Sequence, residues 1–156
     1  MRAAPLFRLV GLLGLVVLFP IVGCGGEGGP AGLLPGGSLA GETAPHPGDW
    51  GFAGDAGTIQ LETNPAEPYS VNLAYTVIDG RIYINAGGTE TRWAVHIAAD
   101  PRVRLRLEDR LYALRARRVT GTAELEAFAE AWTAQSFFRR DPRRYEEVWL
   151  YELLPR

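Results

Sequence analysis

Residues 69–86 read YSVNLAYTVIDGRIYINA and give the clearest indication of the fold in this sequence. Larger apolar or aromatic side chains occupy every second position of residues 69–77, with polar or small residues between them, as in a strand with one buried face. Asp79 and Gly80 interrupt the alternation, and residues 82–86 resume it. Because both positions of an Asp-Gly pair tolerate positive φ, the stretch predicts a tight β-hairpin.

Further strand-like runs lie on both sides of this hairpin. Residues 58–63, 102–107 and 111–119 alternate in the same way, and residues 108–109 predict a turn between the last two. Residues 148–154 are apolar on both faces. Such a strand is covered on both sides, either in the wall of a barrel or at a subunit interface.

A longer helix is predicted between the last two strands, with Thr120 or Thr122 as its cap. Its apolar positions follow the spacing of one helix face: Leu125, Phe128, Ala129 and Trp132. Asp141 and Pro142 predict a short helical turn after it. The elements together indicate a mainly β domain with helices, of the α+β class.

A short helix is predicted after the hairpin. The glycine pair at 87–88 ends the strand, Thr89 or Thr91 can cap the helix, and Pro101 stops it. Free backbone N–H groups, the hydroxyls and the guanidinium of Arg92 then converge where a phosphate can bind. Capped helices after glycines are also common, so this pattern alone leaves phosphate binding and simple capping open.

The residue inventory excludes several kinds of chemistry. All 16 basic residues are arginines, so a lysine Schiff base and a P-loop with its lysine are excluded. The single cysteine, Cys24, allows no intrachain disulfide. Its thiol is expected to carry a lipid, as argued below, so no thiol remains for a cysteine hydrolase. His46 and His96 are far apart, so we predict no metal site. No Gly-x-Ser-x-Gly motif is present.

The arginines cluster in the second half of the chain. Arg102, Arg104 and Arg106 share one strand face, and further arginines crowd residues 115–118. Such rows fit an anionic ligand or lipid headgroups, or they are the solvated face of a sheet, which we favour. The sequence carries a net charge of −2, so we expect no nucleic-acid partner.

The N-terminal residues have the pattern of an export signal. Arg2 and Arg8 precede residues 9–22, which contain no charge, and Ile21-Val22-Gly23-Cys24 follows. These four residues resemble a bacterial lipobox, which implies cleavage before Cys24 and lipidation of its thiol. We expect a lipid-anchored protein of the bacterial cell envelope, facing away from the cytoplasm. An ordinary secretory signal that contains a cysteine is the alternative.

Composition divides the chain after the export signal into a tether and a domain. We predict a signal peptide over residues 1–23, a Gly/Pro-rich tether over 24–48 and one domain over 49–156. The leucines within residues 33–39 would gain nothing in water, so we expect the second half of the tether to lie against the domain.

The order of motifs resembles the split-barrel flavin-binding proteins. The residues that carry the resemblance are Leu61-Glu62-Thr63, Tyr69-Ser70-Val71-Asn72, Ile78-Asp79-Gly80-Arg81-Ile82-Tyr83, Thr91-Arg92-Trp93 and Ala99-Asp100-Pro101-Arg102-Val103. The families are the pyridoxamine-phosphate-oxidase-like and the deazaflavin-dependent nitroreductase-like proteins. The resemblance covers residues 58–119, with 149–154 as the closing strand, and implies a six-stranded antiparallel split β-barrel of the FMN-binding type.

The resemblance also implies a cofactor and its contacts. FMN or a related flavin or deazaflavin would bind through its phosphate to Arg92, with Thr91 beside it. Ser70, Asn72 and Asn85 would line the ring edge. The alternative is that these three form only the polar face of a hairpin.

This chain departs from the family pattern in the turn before the hairpin. Glu67 stands where many relatives have a cation, and an uncompensated carboxylate disfavours a nearby phosphate. Two functions therefore remain: a flavin-dependent oxidoreductase, or a non-catalytic envelope lipoprotein that keeps the barrel to bind a ligand or to assemble. Split-barrel relatives form dimers, so a homodimer that buries Trp149 or Tyr151 is also expected.

Overall fold

The Asp-Gly hairpin forms as predicted. The computed structural model describes residues 28–86 and 91–156. In it, φ is +48° at Asp79 and +71° at Gly80, so both central residues of the turn take the left-handed conformation. The turn joins two antiparallel strands and fixes their register.

The described residues form seven strands and two α-helices. The strands are β1 (Glu42–Ala44), β2 (Ala56–Thr63), β3 (Tyr69–Ile78), β4 (Arg81–Asn85), β5 (Arg102–Leu107), β6 (Arg110–Arg118) and β7 (Leu150–Pro155). The helices are α1 (Arg92–Ala99) and α2 (Thr122–Ala134), with single 3₁₀ turns at Gly51–Ala53 and Pro142–Arg144.

Six of these strands close into an antiparallel barrel. They follow the order β2-β3-β4-β7-β6-β5, and β5 pairs back with β2. Strand β3 therefore lies opposite β6 across the barrel. A closed six-stranded antiparallel barrel with two helices matches a split barrel, so the predicted fold class is confirmed. Strand β1 was not predicted, and it adds to β6 in parallel.

The barrel interior is filled by alternate residues of every strand, as period-two patterning requires. The buried interior side chains include Ile59, Leu61, Tyr75, Ile82, Ile84, Val103, Leu105, Tyr112, Leu114, Tyr151 and Leu153. Helix α1 contributes Trp93, Ala94 and Ile97 to the same core. This helix covers the end of the barrel where β2 finishes and β3 starts.

Helix α2 packs on the outer surface of the barrel. Phe128 has no exposed surface, and it contacts Tyr83, Val119 and Leu150. Leu150 therefore lies under α2, while Leu153 of the same strand faces the interior. Strand β7, which the sequence predicted to be apolar on both faces, is thus part of the barrel wall. Helix α2 of the same chain covers Leu150 on its outer face.

The predicted cap of α2 is wrong. Helix α2 begins at Thr122, and its N-cap residue is Gly121. Glycine has no side chain that could accept a hydrogen bond from the first turn. Thr122 therefore lies inside the first turn, and Thr120 lies before the cap. At α1 the cap is Thr91, as one of the two alternatives predicted, but its hydroxyl makes no capping bond. Thr89 lies outside the described residues.

Two arginines of the predicted solvated rows instead bind buried carboxylates on the outer face of the barrel. Arg104 donates to both oxygens of Glu62, and Arg117 donates to Glu152, which is 4% exposed. Strand register brings each pair together from residues far apart in sequence. These arginines therefore stabilise the barrel wall, which alternation alone did not show.

Residues 28–44, here called the N-terminal strap, lie along the outer surface of the barrel. Gly36 exchanges two backbone hydrogen bonds of 2.9 Å with Ser70, and Leu39 is 3% exposed. A Cβ at Gly36 would come within 2.5 Å of backbone atoms, so only glycine fits there. Leu33 and Leu34, in contrast, are fully or largely exposed.

The predicted signal peptide and Cys24 lie outside the described residues. Within the ranges that the structure describes, no helix is long and apolar enough to cross a membrane. Lipidation at Cys24 therefore stays a prediction.

Candidate functional site

The start of α1 presents backbone donors at one end of the barrel. Its buried face, with Trp93 and Ile97, holds the helix in place. The first bond of the helix runs from the N–H of Val95 to the carbonyl of Thr91, at 3.0 Å. The N–H groups before Val95 consequently have no partner within the helix, and they lie at the positive end of its dipole.

Thr91 and Arg92 add two polar groups at the same place. The guanidinium carbon of Arg92 lies 4.8 Å from the ring centroid of Tyr69, and its side chain is exposed. Arg92 forms no ion pair with any residue that the structure describes. The Thr91 hydroxyl is buried and has no hydrogen-bond partner among the described residues. These unpaired donors suit an anion such as phosphate.

His96 lies one turn after Arg92, and its ring is fixed by two contacts. Its Nδ1 is 3.1 Å from the hydroxyl oxygen of Thr63, which donates its proton to the carbonyl of Tyr69 at 3.2 Å. The Thr63 hydroxyl oxygen thus joins the His96 ring to the backbone at the start of β3. The His96 and Tyr69 rings meet edge to face at 5.2 Å. This histidine therefore positions Tyr69 beneath Arg92.

Ser70 and Asn72 lie on the outer face of β3, beneath the N-terminal strap. Ser70 has no exposed surface, and its hydroxyl has no hydrogen-bond partner within the described ranges. The amide of Asn72 donates to the carbonyl of Gly32 at 2.8 Å. The strap thus covers the strand face on which these two predicted ligand contacts lie, and a bound ring would reach Ser70 only after the strap moves.

The five predicted cofactor contacts fall into three places. Thr91 and Arg92 stand together at the start of α1, and Ser70 and Asn72 stand together under the strap. Asn85 is the half-buried last residue of β4, opposite Leu150 of β7 in the sheet. The sequence could place each residue on its element, but the position of the strap was needed to show which contacts are accessible.

A nearby cleft is a weaker candidate because two of its three arginines, Arg102 and Arg104, are paired. It has a volume of about 270 Å³, and Thr63 lines it. Arg102 hydrogen-bonds Asp100 and holds the pKa of that carboxyl at about 2, well below its usual value. Arg104 is paired with Glu62. Neither guanidinium is free for a second anion.

Tyr69 and Thr63 were missed as parts of the candidate site. Both have a sequence signal, because they are the facing ends of two strands joined by a short turn. A hairpin of this kind places the last residue of one strand beside the first residue of the next. Their contact with α1, however, depends on how the helix closes the barrel, which alternation does not specify.

Comparison with known proteins supports the architecture. No family model matches the sequence, and no curated protein matches it. Among solved structures, a conserved hypothetical protein from Mycobacterium tuberculosis is similar at 20% identity over 72% of this chain and 86% of that chain, with a TM-score of 0.55. The "Putative Pyridoxamine 5'-phosphate oxidase" from Listeria innocua is similar at 13% identity over 63% and 82%, with a TM-score of 0.51. At these identities, the likeness shows the split-barrel fold.

Proposed function

We propose that this protein is a lipid-anchored envelope protein whose split barrel binds a flavin-type cofactor through its phosphate at the start of α1. The observation that carries the proposal is the exposed Arg92 beside the buried hydroxyl of Thr91, which has no hydrogen-bond partner among residues 28–86 and 91–156. The resemblance of the sequence to flavin-binding split barrels, and the fold shared with a protein named as a pyridoxamine 5′-phosphate oxidase, support the flavin as the ligand class.

The residues at the start of α1 fit a phosphate in charge and in hydrogen-bonding capacity. The arginine supplies two parallel donors, the helix supplies backbone N–H groups, and the threonine supplies one more donor. Stacking on Tyr69 limits the guanidinium to few orientations, so less side-chain entropy is lost when a ligand binds. A flavin held here would supply electron transfer, and the chain's residues would bind and orient it.

The first prediction concerns Arg92. Replacing it with alanine in residues 25–156 should weaken FMN binding by about 1.5–3 kcal/mol, the usual contribution of a hydrogen bond to a charged group. Riboflavin lacks the phosphate, so its binding should be weakened much less by the same substitution. The seven strands and two helices lie between residues 42 and 155, so this part of the chain contains the whole barrel. Fluorescence titration with both ligands measures the difference.

A matched control removes an arginine from the far side of the barrel. Arg110→Ala, at an exposed position of β6, should leave the affinity for FMN unchanged. If Arg92→Ala weakened the binding of FMN and of riboflavin equally, the substitution would have damaged the fold. An unchanged FMN affinity in the same variant would remove Arg92 from the site.

The position of the strap favours a second candidate function. Ser70 is completely covered and Asn72 is bonded to Gly32, so the predicted ring contacts of β3 are occupied by the chain itself. A non-catalytic barrel that binds a ligand or assembles in the envelope would have this feature. If the chain binds neither FMN nor riboflavin, this second function is the better interpretation.

The proposed anchor is tested at Cys24. We expect the mature protein to begin at an acylated Cys24 and to fractionate with membranes, since each buried CH₂ of an acyl chain contributes about 0.8 kcal/mol. Cys24→Ala should either release the protein to the soluble fraction or leave it unprocessed. Membrane fractionation and intact mass measure both results. A variant that is processed and fractionates like the wild type would disprove the lipoprotein assignment.

A homodimer is also proposed, on the resemblance and on the second apolar face of residues 148–154. In the structure, α2 covers Leu150, and Tyr151 is 3% exposed within one chain. Trp149, the other predicted interface residue, is only half-buried within one chain, so a dimer contact there stays a prediction.

A further inference from the structure

Two phenylalanines after α2 are exposed to solvent. Phe137 is 99% exposed and Phe138 is 92% exposed, and their rings stand edge to face with centroids 6.2 Å apart. Isolated apolar residues on a surface are ordinary, but two adjacent aromatic side chains this exposed are typical of an interaction surface.

The segment that carries these phenylalanines is held in place by specific bonds. The indole N–H of Trp132 donates to the carbonyl of Arg140 at 3.1 Å, and the guanidinium carbon of Arg139 lies 3.8 Å from the centroid of the Trp132 ring. Gln135 accepts from Arg139 and donates to the carbonyl of Asp55 at 3.1 Å. The two phenylalanines are therefore presented by a fixed segment.

Arginines surround the phenylalanines. Arg140 and Arg144 are exposed, and neither forms an ion pair with another described residue. Together with both phenylalanines, Tyr145 and Asp141, whose carboxylate pairs with Arg143, they line a cavity of about 630 Å³. The surface thus combines two apolar aromatic groups with free cations, which is the composition that an anionic headgroup region complements.

The exposed leucines of the N-terminal strap lie on the same side of the barrel. Leu33 and Leu34 are 103% and 70% exposed, and Gly32 before them is bonded by Asn72 of β3. Thr76 lies four residues after Asn72 on the same face of β3. Its hydroxyl donates to the side-chain oxygen of Gln135, which shortly precedes the phenylalanines. At about 3.3 Å per residue, these two attachment points are about 13 Å apart.

We propose that this side of the barrel, formed by Leu33, Leu34, Phe137, Phe138, Arg140 and Arg144, docks on the surface of an anionic lipid bilayer. The phenylalanines and leucines enter the boundary between headgroups and acyl chains, and the arginines bind lipid phosphates. Cys24 lies nine residues before Leu33, so an anchor there would hold this side within about 32 Å of the bilayer. The docking surface itself does not depend on the anchor or on flavin binding.

The test uses residues 25–156, without an anchor, and two kinds of vesicle. We expect the protein to sediment with vesicles of equal parts phosphatidylcholine and phosphatidylglycerol, and much less with phosphatidylcholine alone. Phe137→Ser with Phe138→Ser should lower partitioning into the anionic vesicles at least about tenfold, because each phenylalanine loses most of its transfer free energy. Phe52→Ser, at an exposed phenylalanine elsewhere, should leave it unchanged.

A second pair of variants tests the charges. Arg140→Gln with Arg144→Gln should lower partitioning into the anionic vesicles by about 25-fold, at about fivefold per arginine. Arg110→Gln with Arg115→Gln removes the same charge from β6, on the opposite side of the barrel, and should have a much smaller effect. Circular dichroism confirms that each variant is folded.

Two results would overturn the proposal. One is a failure of the binding itself: the wild-type protein does not sediment with anionic vesicles, or the double serine and double glutamine variants of this surface sediment as the wild type does. The other is a dimer in light scattering that Phe137→Ser with Phe138→Ser dissociates, without any vesicle binding, since this surface would then join two copies of the chain.

Discussion

Phe128→Ala should lower the free energy of unfolding by about 3–5 kcal/mol, the typical cost of removing a buried aromatic side chain. Phe128 has no exposed surface, and it fills the space between α2 and the outer wall of the barrel. There it meets Tyr83, Val119 and Leu150, and its ring stacks near Trp132 at a centroid distance of 5.6 Å. Alanine would leave a cavity lined by these side chains.

Denaturant unfolding followed by circular dichroism measures this loss. Phe138→Ala is the matched control, because it removes the same side chain from a position that is 92% exposed. The control should change stability by no more than about 0.5 kcal/mol. A loss below about 1 kcal/mol in Phe128→Ala would mean that α2 does not pack on the barrel as described.

Glu62→Gln should lower the free energy of unfolding by about 2–4 kcal/mol, because it breaks a buried ion pair and leaves a charge and a donor unpaired. Glu62 is 5% exposed, and it accepts from the guanidinium of Arg104 and from the backbone N–H of Leu39, the latter at 2.6 Å. Glutamine has nearly the same volume, but its NH₂ group cannot accept a hydrogen bond.

The same substitution should loosen the N-terminal strap. Arg104 also donates to the hydroxyl of Ser38 at 2.7 Å, so Glu62 joins the strap to the barrel through two partners. Hydrogen exchange at the amide of Leu39 should accelerate, and denaturant unfolding gives the loss of stability. Glu67→Gln, at an exposed glutamate of the β2–β3 turn, is the control. Equal stability of the two variants would contradict the buried pairing of Glu62.

The barrel could be predicted because its signals are local. The alternation of β3, the Asp-Gly turn and the helical spacing around Phe128 each involve residues close in sequence, and the structure confirms all three. The ion pair between Glu62 and Arg104 joins residues 42 apart. Neither residue has a sequence signal for that pairing, because it depends on the register between β2 and β5.

The strap shows a second limit of sequence reasoning. Its composition of glycine, proline and alanine has no period, yet Gly36 pairs with Ser70 and β1 pairs with β6. Burial of Leu39 agrees with the expectation from its apolar side chain. The exposure of Leu33 and Leu34 differs from that expectation, because the strap turns at Gly32, where φ is +59°. The covering of predicted ring contacts by the strap could not be foreseen for the same reason.

Equilibrium dialysis of residues 25–156 against FMN and against riboflavin shows whether the start of α1 recognises a phosphate. This is the wild-type half of the Arg92 comparison. We expect saturable binding of one FMN per chain, tighter than the binding of riboflavin by at least about tenfold, because charge-assisted hydrogen bonds form to the phosphate. Equal affinities for the two compounds, or no saturable binding of either one, would contradict this expectation.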